Sequence, residues 1–166
     1  MFLHNSNNRT GLRLLLIFIG FFSLFSCNGR QDDSRFQLLD GDEKQVSDYQ
    51  GRWLLVNFWA EWCKPCLEEV PELNALHRRK EEFNWDLLAF SYEPVNNEQL
   101  NQAITKYGIE YPMVATMPQP VVPFERPSKL PAMLIISPDG DVLGPLYGKQ
   151  DLESVVAAIN EIKQRL

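Results

Sequence analysis

Two cysteines two residues apart, Cys63 and Cys66, are the residues of this chain best placed by type and spacing to do chemistry. At the start of a helix such a pair can close a disulfide ring, and its first thiol lies against backbone N–H groups that have no helical partner. Those groups favour a thiolate, and Lys64 adds a positive charge beside it. Cys63 is then the nucleophile, and Cys66, one turn inside the helix, is the resolving thiol that breaks a mixed disulfide. The bare spacing also suits half a zinc site or a structural disulfide. His4 and His77 are the only two histidines, and no second ligand pair is present, which leaves little for a metal site. A c-type haem attachment needs His after the second cysteine, where this chain has Leu67.

The elements that must hold this pair can be read from apolar spacing. Residues 54–59 form a nearly continuous apolar run, as expected of a central strand covered on both faces. Beyond Cys63, apolar Leu67, Val70, Leu73 and Leu76 mark one face of a helix, and Pro71 inside it predicts a kink. Residues 86–92 read as a second buried strand. Asn96 or Asn97 then caps a helix with the stripe Leu100, Ala103, Ile104 and Tyr107, and Gly108 stops it. A small hairpin is expected where residues 36–39 and 45–47 flank the turn Asp40-Gly41-Asp42. A second hairpin pairs residues 132–136 with 142–146 around Pro138-Asp139-Gly140. A last helix buries Leu152, Val155, Val156, Ile159 and Ile162. The pattern is one alternating α/β unit without internal repeats.

Ahead of that unit, Arg9 and Arg13 precede residues 14–25, which are apolar except for Gly20 and Ser23. A basic segment before an apolar run of this length has the form of a secretory signal, since a spanning helix needs about 20 apolar residues; an uncleaved anchor is the alternative. Leu24-Phe25-Ser26-Cys27 looks like the lipobox of bacterial lipoproteins, with Cys27 as the lipidated first residue of the mature chain. The expected organisation is a signal peptide over residues 1–27, a polar tether over 28–34 and a domain over 35–166. Either form of the leader exports the domain to a compartment where disulfides form. All 22 acidic residues lie beyond Cys27, and two of the 16 basic ones, Arg9 and Arg13, lie before it, leaving a net charge of −8 on the remainder. That balance argues against nucleic acid as a partner.

The segment Asn57-Phe58-Trp59-Ala60-Glu61-Trp62-Cys63-Lys64-Pro65-Cys66 resembles the active-site segment of the thioredoxin family. Its continuation, Leu67-Glu68-Glu69-Val70-Pro71, narrows the resemblance to the exported, membrane-tethered TlpA-like reductases. Tyr107-Gly108-Ile109 with Tyr111-Pro112, and Pro131 ahead of a strand ending in Pro138-Asp139-Gly140, keep the family order. The resemblance implies a thioredoxin-like three-layer sandwich: a mixed sheet of four or five strands with helices on both faces, an N-terminal hairpin, and a strand-helix insertion over residues 86–115. It implies a cis Leu130–Pro131 peptide facing the dithiol, with Leu130 and Pro131 as contacts for an extended substrate; Trp62 reads as packing around the site and also as a candidate substrate contact. Glu69, three residues after Cys66 and at a position the family pattern marks, is the candidate acceptor of the Cys66 proton. Thioredoxin has a buried aspartate at the position of Asn57, and an asparagine cannot serve as a base.

The resemblance implies no cofactor. As partners it implies an exported protein disulfide, apocytochrome c being one family possibility, and a membrane electron donor that recharges the dithiol. The location expected is the periplasmic or extracytoplasmic face of a membrane, held by a lipid anchor. Reduction of exported disulfides is the leading function. An oxidase or isomerase, or a copper-delivery module with the dithiol as ligands, are the alternatives. A peroxide reductase would place its cysteine in another local pattern. Trp59 reads as packing. Residues 117–131, with five prolines, form a stiff extended segment that either walls a substrate groove or is a surface loop.

Overall fold

The computed structural model of the protein describes residues 32–165. Cys27, the expected leader and residues 28–31 of the expected tether lie outside them. The remainder of that tether is already part of the folded domain. Asp32 accepts the backbone N–H of Ser47 at 2.6 Å, and the buried hydroxyl of Ser34 accepts that of Val46 at 2.7 Å.

Five strands form the main sheet: β3 (Trp53–Trp59), β4 (Trp85–Ser91), β5 (Met113–Val114), β6 (Ala132–Ile136) and β7 (Val142–Tyr147), following a separate hairpin of β1 (Phe36–Gln37) and β2 (Glu43–Lys44). The order across the main sheet is β5-β4-β3-β6-β7. β3 pairs parallel with β4 and antiparallel with β6, so the sheet is mixed. The second hairpin strand is Glu43–Lys44 and not residues 45–47, because Val46–Tyr49 winds into a 3-10 turn. Side chains take the N–H groups a ladder would have used: those of Val46 and Ser47 as above, and that of Gln45 through Asp48 at 2.8 Å.

Alternation along the strands divides the core in two. Trp53, Leu55, Trp59, Trp85, Leu87 and Ala89 face the side on which the helices pack; Leu54, Val56, Phe58, Leu88 and Phe90 face the other. On the first side lie α1 (Lys64–Glu68), α2 (Val70–Arg78), α4 (Asn97–Tyr107) and α5 (Leu152–Lys163), through residues such as Leu73, Leu100 and Val155. A short α3 (Lys80–Phe83) leads into β4. The second side is covered by Phe36, Leu38, Val46 of the 3-10 turn, and Val122 and Phe124 of the proline-rich segment. Among the described residues its helical content is that single turn.

The helix after the cysteines is not merely kinked. It is broken at Glu69, which ends α1 and begins α2 with φ −85° and ψ −11°. Pro71 lacks an N–H, and its ring crowds the carbonyl four residues back, so continuous α-helix through this point is disfavoured. The helix begun at Asn96 matches expectation: Asn96 accepts the N–H of Gln99 at 2.9 Å. Gly108 closes it at φ 65°, in the left-handed region.

Candidate redox site

β3 ends at Trp59, and Ala60 to Trp62 carry the chain over the end of the sheet to Cys63, whose N–H is held by the carbonyl of Ala60 at 3.0 Å. Cys63 is the residue before the first turn of α1 and forms a disulfide with Cys66, with 5.3 Å between Cα atoms. Both are buried, Cys63 at 4% exposure and Cys66 at 1%, so Cys63 is the sulfur an incoming group reaches first. The N–H of Cys66 points to Cys63 Sγ at 3.3 Å. An amide donor at a helix start stabilises the thiolate left when this disulfide is reduced. Lys64 is exposed, with Glu68 at 3.9 Å, so its charge is only loosely engaged.

Glu69 is 2% exposed although its neighbours in sequence, Glu68 and Glu72, face solvent. The break between α1 and α2 lies at this residue. Its Oε1 accepts from Asn57 Nδ2 at 2.9 Å and its Oε2 from the backbone N–H of Gln150 at 3.1 Å. Burial pushes its carboxyl up to about 7, against the pull of those two donors and of the Lys149 charge. The group therefore exchanges a proton near neutrality, as a base for a thiol requires. Tyr111, buried near it, is pushed up by desolvation first and by the Glu69 charge second.

Trp62 stands out of the surface at 61% exposure and meets Tyr92 edge to face, with 6.3 Å between ring centroids. The guanidinium of Arg126 lies over the other partner in this group, the Tyr92 ring, at 5.1 Å. The Leu130–Pro131 peptide is cis. Phe58 pairs with Ala132 in the antiparallel register, which puts Pro131 at the end of β3 from which the chain leads to Cys63. Leu130 is half-buried and packs against both halves of the core, including the one that contains the cysteines. Trp59 is buried, and its indole N–H has no partner among the described residues.

The proline-rich segment covers core. Phe124 meets Phe58 and Phe90 at 6.2 and 5.8 Å, and a pocket of 180 Å³ between it and the sheet is lined by Phe58, Phe90, Pro94, Phe124 and Arg126. A smaller hollow of 90 Å³ lies on the helix side, between Trp59, Trp62 and Leu100. Among the described residues no group of three or more His, Cys, Asp and Glu is placed to hold a metal ion. His77 is half-buried on α2, Met113 is buried on β5, and Met117 is exposed in the proline-rich segment.

Sequence spacing brings out Cys63, Cys66 and Glu69 but not the groups that hold Glu69. Asn57 cannot act as a base, but its side-chain amide can donate. Its signal is a lone polar residue at a position of β3 whose alternation directs it to the helix side. The backbone N–H of Gln150, 81 residues from Glu69, has no sequence signal at all.

Residues 31–143 match the AhpC/TSA family. The thiol-disulfide oxidoreductase ResA of Bacillus anthracis is 27% identical over 124 residues, covering 75% of this chain and 71% of that protein. A putative thioredoxin from Neisseria meningitidis has a TM-score of 0.63 at 20% identity, over 80% of this chain and 89% of that one. The exposed lipoprotein thioredoxin of Streptococcus pneumoniae has a TM-score of 0.60 at 17% identity, over 76% of this chain and 97% of that one. With the mixed five-stranded sheet and the paired cysteines at the start of α1, these likenesses place the chain in the AhpC/TSA family, as a thioredoxin-fold thiol-disulfide oxidoreductase that works through a Cys63–Cys66 dithiol.

Proposed function

We propose that the chain reduces disulfides of exported polypeptides, with Cys63 as nucleophile, Cys66 as resolving thiol and Glu69 as the acceptor of the Cys66 proton. The observation that carries the reading is a buried carboxyl, poised near neutral pH and three residues from the buried cysteine that must be deprotonated. The Cys63 thiolate attacks a substrate disulfide, forming a mixed disulfide and releasing one substrate thiolate. Cys66 then gives its proton to Glu69, and its sulfur attacks Cys63 Sγ. The Cys63–Cys66 disulfide forms, the second substrate thiolate leaves, and two electrons have passed to the substrate. Trp62, Leu130 and Pro131 form the contact surface for an extended substrate segment. Apocytochrome c is the substrate class that the family resemblance brings in.

The same proposal holds Cys27 to be lipidated and the domain to sit at the extracytoplasmic face of a membrane, close to the electron donor that recharges it. With Asp32 anchored in the fold, the free tether is four residues, 28–31, and reaches roughly 15 Å. Lipid incorporation into wild type and not into Cys27→Ala checks the anchor.

The decisive test of the site is trapping. Cys66→Ser is expected to accumulate a mixed disulfide with substrate, and Cys63→Ser to form none; equal trapping by both would remove the assigned roles. Equilibration with glutathione tests direction. A reductant requires a potential well below that of strong oxidants near roughly −120 mV, and a value at that end would instead make the protein an oxidase.

A further inference from the structure

We propose that Asn57 is a positioning residue that serves Glu69 in both of its protonation states, donating through Nδ2 to the carboxylate and accepting through Oδ1 from the carboxylic acid. The inference rests on Glu69 being the base of the reaction above.

Two observations carry it. Nδ2 of Asn57 lies 2.9 Å from Glu69 Oε1, across from the backbone N–H of Gln150 on Oε2, so the carboxyl is clamped between a strand of the central sheet and the start of the segment leading into α5. Oδ1 of the same amide is buried and has no hydrogen-bond partner among the described residues. Asn57 as a whole is 1% exposed. An orphaned buried acceptor costs about 1–3 kcal/mol, a penalty that a purely structural asparagine has no reason to carry. A leucine would satisfy the packing of β3 without it.

A side-chain amide carries a donor and an acceptor of nearly the same shape, related by a half-turn about its last bond. With Glu69 ionised, Nδ2–H faces Oε1, the arrangement seen here. When Glu69 takes the proton from Cys66, a donor faces the amide, and the half-turn brings Oδ1 to accept it. The vacant acceptor then becomes the occupied one. The carboxyl keeps its place through the proton transfer, so its distance to the thiol does not change between the steps. An aspartate at position 57 lacks the donor that the ionised carboxylate needs, and a leucine lacks both groups.

The ionisable groups electrostatically coupled to Glu69 are Lys149 ahead of α5 and Tyr111 ahead of β5; Cys66 lies three residues before it in the chain. Lys149 is also engaged with Glu68 at 3.3 Å, and Tyr111 stays protonated over the range of the test. The pH dependence near neutrality therefore belongs to Glu69 and the thiols.

The test uses the reduced full chain carrying Cys27→Ala, which leaves Cys63 and Cys66 as its thiols, and 5,5′-dithiobis(2-nitrobenzoic acid) in single turnover across pH 5 to 9. Attack by Cys63 releases one coloured thiolate, and attack by Cys66 on the resulting mixed disulfide releases the second, so the two steps are read separately. In Asn57→Leu the second phase is expected to slow about tenfold at pH 7 and its midpoint to move to higher pH, because the ionised carboxylate has lost a donor. The first phase should change less than twofold. Asn57→Asp preserves the side-chain shape and is expected to move the same midpoint upward, through loss of the donor and a like charge; it serves if the leucine variant does not fold. A second phase coinciding with wild type in the folded variant overturns the proposal. Glu69→Gln separates this from failure of the base assignment. A slowed second phase in Glu69→Gln with normal Asn57 variants sinks the role of Asn57 alone, whereas a normal second phase in Glu69→Gln sinks the base itself. The side-chain amide signals of Asn57 in the nitrogen-15 spectrum should shift with the midpoint of Glu69; amide signals that do not titrate overturn the half-turn.

Discussion

At the scale of single residues, exposure separates roles that the sequence leaves side by side. Cys63 and Cys66 are both buried, whereas Trp62 beside them stands 61% exposed against Tyr92. A large aromatic ring left in water beside the cysteines supports the proposed contact with a polypeptide substrate. Trp62→Ala is expected to raise KM for a polypeptide disulfide about tenfold while leaving the reaction with a small aromatic disulfide within twofold. Little of the core rests on this ring, so thermal unfolding should change by no more than a degree or two. Parallel loss with both substrates would show that Trp62 acts on the cysteines and not on the substrate. Glu69 shows the opposite relation of sequence to exposure. Three glutamates, at 68, 69 and 72, look alike as letters, and only the fold buries the middle one.

At the scale of elements, Pro71 and the proline-rich segment govern the surroundings of the dithiol. The break at Glu69 lets α1 present the cysteines while α2 runs on through Leu73 and Leu76 into the core. A proline in the first turn of α2 costs nothing in lost bonds there, since its N–H would have no intrahelical partner. The segment 117–131 has no regular structure of its own, yet Phe124 closes the second face of the sheet against Phe58 and Phe90. A fully buried phenylalanine cut to alanine loses about 3–5 kcal/mol, and a half-buried one loses less. Phe124→Ala is therefore expected to cost about 2 kcal/mol in urea unfolding. It should also lower turnover of polypeptide substrates, because the segment leads directly to Pro131. Unchanged stability would mean the ring is dispensable to the core. This element is only half legible in the sequence. Proline density reveals stiffness, but whether a stiff segment lies on a core or in water depends on Phe124 and Val122 meeting a face whose width is set by other strands.

At the scale of the molecule, the buried Glu69 ties the site to stability. Its carboxyl rises from 4.5 to about 7 on folding, so the folded state holds a proton that the unfolded chain gives up between those values. The associated stability is fully present below 4.5 and is lost as pH rises through about 7, a change of up to about 3 kcal/mol. The difference in unfolding free energy between wild type and Glu69→Gln should accordingly fall by that order from pH 4.5 to 7.5. A difference constant with pH would show that the carboxyl is not protonated in the fold. Ionising the base therefore costs the fold stability, and Asn57 with the Gln150 N–H limits that cost.

What the sequence by itself determined is the chemistry and the succession of elements. Cys63 and Cys66 with their helix, the buried runs that became β3 and β4, the cap at Asn96 and the stop at Gly108 all follow from spacings of a few residues, and interactions that short are written in the chain order. The hairpin ends ahead of residues 45–47 because side chains of Asp32 and Ser34 take over backbone N–H groups there, an interaction across 12 to 15 residues. Tertiary structure alone decided the rest: which glutamate is buried, that the asparagine of β3 reaches it, and that a backbone N–H 81 residues away completes the clamp. Desolvation depends on everything packed around a group, and no local pattern of residues carries that information.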